Sequence, residues 1–136
     1  MKKNGAVLKD LKVLLVEDQN EARAMMRNML SELGITQIFE APDGKQALQF
    51  IDSAYDFINL VMCDWNMPTM TGVELLRQLR SVDPSMPFLM ITGRGDMESI
   101  VEAKTSGVTG YIKKPFSAAQ LEAKLRVVVH KMAEAS

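Results

Sequence analysis

The 136 residues fit one domain with a real hydrophobic core and leave no room for two of ordinary size, so any function resides on a single unit. With 16 Lys and Arg against 17 Asp and Glu the formal net charge is −1, which excludes the electrostatic footprint of a nucleic-acid binder. One cysteine excludes an internal disulfide, and the absence of a signal-peptide core or a membrane-length apolar run predicts a cytoplasmic protein with no membrane partner.

Residues 1–11 read as a polar, flexible lead-in, and residues 12–134 as the domain itself. From Lys12 onward, apolar runs of four or five residues alternate with segments of helical period, the pattern of βα repeats on a parallel sheet. The first strand is Val13-Leu14-Leu15-Val16. A helix follows with Ala22, Met25, Met26, Met29, Leu30 and Leu33 on one stripe, stopped by Gly34. Ile38-Phe39-Glu40-Ala41 is a shorter strand interrupted by a charge, and Asp43 with Gln46 caps a second helix built on Ala47, Leu48 and Ile51.

Leu60-Val61-Met62-Cys63 has no polar residue to alternate and reads as a strand covered on both faces. Cys63 is a small core residue in this reading, and most of the eleven methionines fill space. Thr71-Gly72-Val73-Glu74 forms a capping box for a third helix packed through Leu75, Leu76 and Leu79 and halted before Pro84. After the strand Phe88-Leu89-Met90-Ile91, Asp96 starts a fourth helix with a narrow stripe of Ile100, Val101 and Ala103. A fifth strand, Gly110-Tyr111-Ile112, precedes the capping box Ser117-Ala118-Ala119-Gln120 and a last helix with Leu121, Leu125, Val128, Val129 and Met132 facing inward. His130 there suits the dipole of a helix end.

Five strands, each followed by a helix through right-handed crossovers, give an α/β three-layer sandwich. The second and fifth strands carry charge or mixed character, as edges do, whereas the first, third and fourth are wholly apolar. The predicted fold is therefore flavodoxin-like, a five-stranded parallel sheet of order 2-1-3-4-5 with five helices.

In that order four strands end on one rim in chemically pointed residues: Glu17 and Asp18, Asp64, Thr92, and Lys113 with Lys114. Glu17, Asp18 and Asp64 share a pocket at the switch point. Three crowded carboxylates raise one another's pKa unless a cation compensates, and an all-oxygen set without His or Cys selects a hard dication, Mg²⁺ rather than a caged Ca²⁺. With a metal on Glu17 and Asp18 and Lys114 opposite, Asp64 is free to attack a phosphoryl group in line, forming an aspartyl phosphate to which Thr92 donates a hydrogen bond. Such a contact exists in one state only, which is what a switch requires. Singly, each residue has a duller account; Asp18 in particular can cap the first helix with Glu21.

The acidic pair Glu17-Asp18, the string Asp64-Trp65-Asn66-Met67-Pro68, Thr92 after an apolar strand, and Gly110-Tyr111-Ile112-Lys113-Lys114-Pro115-Phe116 together resemble the receiver domains of bacterial response regulators, of the stand-alone chemotaxis (CheY-like) type. The resemblance runs from about Leu11 to Met132. It implies a phosphorylation-activated switch in two-component signal transduction, with Asp64 as phosphoacceptor for a histidine kinase or a small acyl phosphate. It further implies Mg²⁺ held by Asp18, Asp64 and the backbone carbonyl of Asn66, with Glu17 acting through a metal-bound water. Lys114 would pair with the phosphoryl oxygens, and the bond to Pro115 is commonly cis in such proteins. Thr92 and Tyr111 would be the coupled switch pair, signalling to a face made by the fourth helix, fifth strand and fifth helix, and Trp65 the fluorescent reporter.

Four departures stand out: Glu17 where Asp is commoner, Thr71 where Asp often precedes the glycine, Gly93 in place of a small alanine, and Arg94 at a place that tunes phosphoryl lifetime. With no effector domain expected to follow, output is by protein contact. The first expectation is a monomeric switch for the flagellar motor, subject to a phosphatase and catalysing only its own phosphorylation and dephosphorylation, hence not an enzyme in the ordinary sense. A phosphate sink, or relay to a histidine phosphotransfer protein, is the alternative. A small Mg²⁺-dependent phosphatase of the haloacid-dehalogenase kind would need a second acid two residues past its nucleophile, where Asn66 stands. Flavin binding is disfavoured by the acidic loop Glu17-Asp18-Gln19-Asn20.

Overall fold

A computed structural model describes residues 7–93 and 95–135. Five strands and five helices alternate: β1 (Lys12–Val16), α1 (Asn20–Glu32), β2 (Gln37–Ala41), α2 (Gly44–Ala54), β3 (Leu60–Asp64), α3 (Gly72–Val82), β4 (Phe88–Thr92), α4 (Met97–Thr105), β5 (Gly110–Lys113) and α5 (Ala118–Ala135). The strands form one parallel sheet of order β2-β1-β3-β4-β5, the order expected from strand composition.

Side-chain alternation along the strands divides the core in two. Leu14, Val16, Val61, Cys63, Phe88 and Met90 face α2, α3 and α4, packing on Ala47, Leu75, Leu76, Leu79 and Ala103. Val13, Leu15, Leu60, Met62, Leu89 and Ile91 face the other way, onto Met26 and Leu30 of α1 and Leu121, Leu125 and Val128 of α5. Apart from Lys12, Asp64 and Thr92 at their ends, the central strands are apolar because both of their faces are covered.

The helix starts follow their caps. Asp43 accepts from the Gln46 N–H at 2.8 Å, Asp96 from the Ser99 N–H at 3.0 Å, and Thr71 and Glu74 exchange both bonds of a capping box. Ser117 and Gln120 do the same before α5. Gly34, at φ +91°, ends the turn after α1.

Three details differ from the sequence reading. The segment 7–11 is no loose lead-in: Leu8–Asp10 forms a 3₁₀ turn, and Leu8 and Leu11 are buried with Leu125 and Val128 in the α1/α5 layer. Residues 1–6 lie outside the described residues. Asp18 does not cap α1; the cap position is Gln19, which makes no side-chain cap bond. Met25 and Val101, assigned to inward stripes, are 56% and 51% exposed, because α1 and α4 each cover the sheet with a narrower arc than their apolar residues span.

Candidate functional site

The C-terminal ends of β1, β3, β4 and β5 open on one rim, and the carboxylates at the ends of β1 and β3 are unusually buried. Glu17, one residue past β1, is 0% exposed, and Asp64, the last residue of β3, is 5% exposed. Asp18 is half-buried. Because Val16 pairs with Cys63 across the β1/β3 switch point, the residues that follow meet, and oxygens of Glu17, Asp18 and Asp64 all lie within 4.8 Å of one another.

A cation completes the cluster. Thr92 pairs with Lys113, so the next residue, Lys114, emerges over the rim, its N–H donating to the Thr92 carbonyl at 2.7 Å. Its Nζ lies 3.2 Å from Asp64 Oδ1 and 3.4 Å from Glu17 Oε1. The Lys114–Pro115 bond is cis.

The electrostatics follow from burial. Desolvation pushes the Glu17 carboxyl above its ordinary range, and the Gln19 N–H on Oε2 and the Lys114 charge only partly oppose it, while Asp64 adds to it. Burial likewise raises Asp64, against Lys114 and with Asp18. For Lys114 burial acts downward, but Asp64 and Glu17 together more than reverse it, and its ammonium form is favoured. Among the described residues, one lysine thus faces three carboxylates.

That residual charge and the all-oxygen donor set fit a hard dication, and Glu17, Asp18 and Asp64 are the side chains that would hold it. Asn66 sits in the exposed loop two residues past Asp64. Thr92 is buried at the end of β4 and shares a sheet face with Met90. Tyr111, half-buried on β5, packs on that same face and pairs with Met90, below the rim; Lys124 Nζ lies 5.2 Å from the centre of its ring. Trp65 is buried directly after Asp64, its N–H bonded to the Ile91 carbonyl at 2.8 Å. Arg94 lies outside the described residues.

One positioning residue escaped the sequence reading. A Cβ on Gly72 would meet the Asp64 carbonyl oxygen at 2.5 Å and the Trp65 Cα at 3.0 Å, so this glycine lets the start of α3 press against the end of β3. Its N–H donates to the Trp65 carbonyl at 2.8 Å. In sequence it is only the first residue after a cap.

Residues 13–126 match the response regulator receiver domain. The chain belongs to that family. This receiver domain is 40% identical over 127 residues to the chemotaxis protein CheY-3 of Vibrio cholerae, covering 91% of this chain and 95% of that one. It is 38% identical to the chemotaxis protein CheY of Pseudomonas aeruginosa, covering 90% and 98%. Among solved structures, Vibrio cholerae CheY4 superposes with a TM-score of 0.79 at 33% identity over 87% of this chain and 98% of that one. A receiver domain protein of Clostridium thermocellum, at 22% identity and TM-score 0.85 over 93% and 99%, shares the fold. Among the described residues, no helix of the receiver domain is long and apolar enough to cross a membrane.

Proposed function

We propose that this receiver domain is a phosphorylation-activated signalling switch whose phosphoacceptor is Asp64. The observation that carries the reading is a nucleophile-capable carboxylate, 5% exposed, paired with Lys114 at 3.2 Å inside a cluster of three carboxylates. Burying charge that packing does not require is costly and is retained where chemistry uses it.

An Asp64 oxygen attacks phosphorus, and the bond from phosphorus to the donor, an imidazole nitrogen of a kinase phosphohistidine or the oxygen of an acyl phosphate, breaks with its electron pair on the donor. Lys114 holds Asp64 in place and faces the incoming phosphoryl oxygens. Thr92, at the rim beside Lys113, donates its hydroxyl to the phosphoryl group once it has arrived. Asp18, Asp64 and the Asn66 carbonyl, with Glu17 as an outer partner, would hold Mg²⁺, which would supply charge neutralisation at the phosphoryl oxygens. The domain thereby catalyses only its own modification. Asn66 cannot protonate a leaving group, which disfavours a free-standing phosphatase.

Output runs through Thr92 and Tyr111 to the surface of α4, β5 and α5, where a groove of about 300 Å³ is lined by Lys104, Tyr111, Lys124 and Lys131. The chemotaxis names of the relatives, similar along almost their whole length, make the flagellar motor switch the favoured target, reached by a monomer in the cytoplasm.

Acetyl phosphate with Mg²⁺ should add one phosphoryl group by intact mass, and Asp64→Asn should abolish it. Undiminished labelling of that variant overturns the assignment. Motor-switch protein bound only by the beryllofluoride-treated form supports the motor; a histidine phosphotransfer protein bound instead supports relay.

A further inference from the structure

An arginine outside the carboxylate trio holds the acidic loop in place. Arg23 on α1, its side chain only 17% exposed, donates from Nη1 to the Glu17 carbonyl at 2.7 Å, from Nη2 to Asn20 Oδ1 at 2.8 Å and from Nε to Glu40 Oε1 at 3.0 Å. The Glu40 carboxylate, which the sequence offers only as an edge-strand charge, takes Arg27 on its other oxygen. The Glu17 N–H is bonded to the Ala41 carbonyl at 3.1 Å. The two peptide groups flanking Glu17 are thus tied on opposite sides, one to β2 and one to α1 through Arg23.

Rotation of this backbone is what would carry the Glu17 and Asp18 carboxylates away from Asp64. A planar guanidinium with donors in three directions restrains it as a single ammonium cannot. Mg²⁺ demands near-octahedral geometry at short distances, whereas Ca²⁺ tolerates a looser shell. Small displacements of this loop therefore act unequally on the two ions.

We propose that Arg23, seated on Glu40, is a positioning residue for the metal site, setting its selectivity for Mg²⁺ through the Glu17 carbonyl. It touches neither the ion nor the phosphoryl group. The proposal rests on reading Glu17, Asp18 and Asp64 as a Mg²⁺ site.

The test titrates Mg²⁺ and Ca²⁺ against Trp65 fluorescence in the full chain. Arg23→Ala should weaken Mg²⁺ binding by about tenfold or more, as loss of outer-shell partners does, and Ca²⁺ binding far less, narrowing the preference. Glu40→Gln should act in the same direction more weakly, and the double variant should be no worse than Arg23→Ala alone. Arg23→Lys keeps the charge without the fork and should also lose Mg²⁺ preference; with Glu40→Gln it carries the test if Arg23→Ala does not fold. An unchanged Mg²⁺-to-Ca²⁺ ratio in these variants, including equal loss for both ions, overturns the positioning role while leaving the site intact. A wild-type protein that takes up neither ion overturns the reading of the site, and the proposal with it.

Discussion

Lys114 and Glu17 stand 97 positions apart in the chain, yet the lysine Nζ lies 3.4 Å from the glutamate Oε1 and, at 3.2 Å, equally serves Asp64. One ammonium thus opposes two buried carboxylates. Lys114→Met keeps the aliphatic stem and deletes the charge. Phosphorylation by acetyl phosphate should slow by about 10²-fold or more, the scale for losing a preorganised group aimed at transition-state charge. Stopped-flow Trp65 fluorescence or intact mass reads the rate, and a rate close to wild type contradicts the role.

The same burial predicts how pH acts on stability. Asp64 and Glu17 have folded-state pKa values raised above 3.8 and 4.5 respectively, so each contributes stability that is fully present below those values and lost as pH rises through the folded ones. Lys114, raised above 10.5, contributes stability that persists until the pH exceeds that range. In chelator, Asp64→Asn should therefore melt higher than wild type at neutral pH, by on the order of a few degrees. The gain should vanish in acid, where Asp64 is protonated anyway. Millimolar Mg²⁺ should close the gap from the wild-type side, and its effect should fade as protons compete for the carboxylates. Melting curves across pH, with and without the ion, check all three statements.

Gly72 carries a steric prediction. A methyl group at this position would fall 2.5 Å from the Asp64 carbonyl and 2.9 Å from Met90 Sδ, and the first of these is backbone that cannot swing aside. Gly72→Ala should cost about 1–3 kcal/mol in urea unfolding, the range for overpacking, and slow phosphorylation by displacing Asp64. A neutral variant would mean that α3 is free to shift.

Thr69 adopts φ 66°, a left-handed conformation that β-branched residues avoid, in the loop between Asp64 and α3. Its hydroxyl bonds the Pro68 carbonyl at 2.6 Å, which offsets only part of the strain. Thr69→Gly should stabilise the fold by about 0.5–1 kcal/mol, seen as a higher urea midpoint at unchanged slope.

How much of this was legible in the chain depends on the range of the signal. Glu17, Asp64, Thr92 and Lys114 stand out because each ends an apolar run, and one parallel sheet then gathers all four at one rim. Capping boxes such as Thr71 with Glu74 are legible because their partners are three residues apart. Leu8 and Leu11 are not legible as core because a three-residue turn has no period to detect; only the docking of α5 reveals that they are core. The role of Gly72 is not legible because the atom that forbids its Cβ belongs to another element.

The sequence by itself determined the fold class, the strand order and the identity of the acidic and basic side chains at the rim, since hydrophobic period and strand-end chemistry are local properties. Only the tertiary structure decided that Lys114 bridges two carboxylates, that Asp18 leaves the helix cap to Gln19, and that Arg23 reaches the Glu17 carbonyl from Glu40. Those contacts depend on strand register, as in the pairing of Leu15 with Glu40, and on the angle at which α1 crosses the sheet. Both are set by the packing of the whole core, so no short stretch of sequence encodes them.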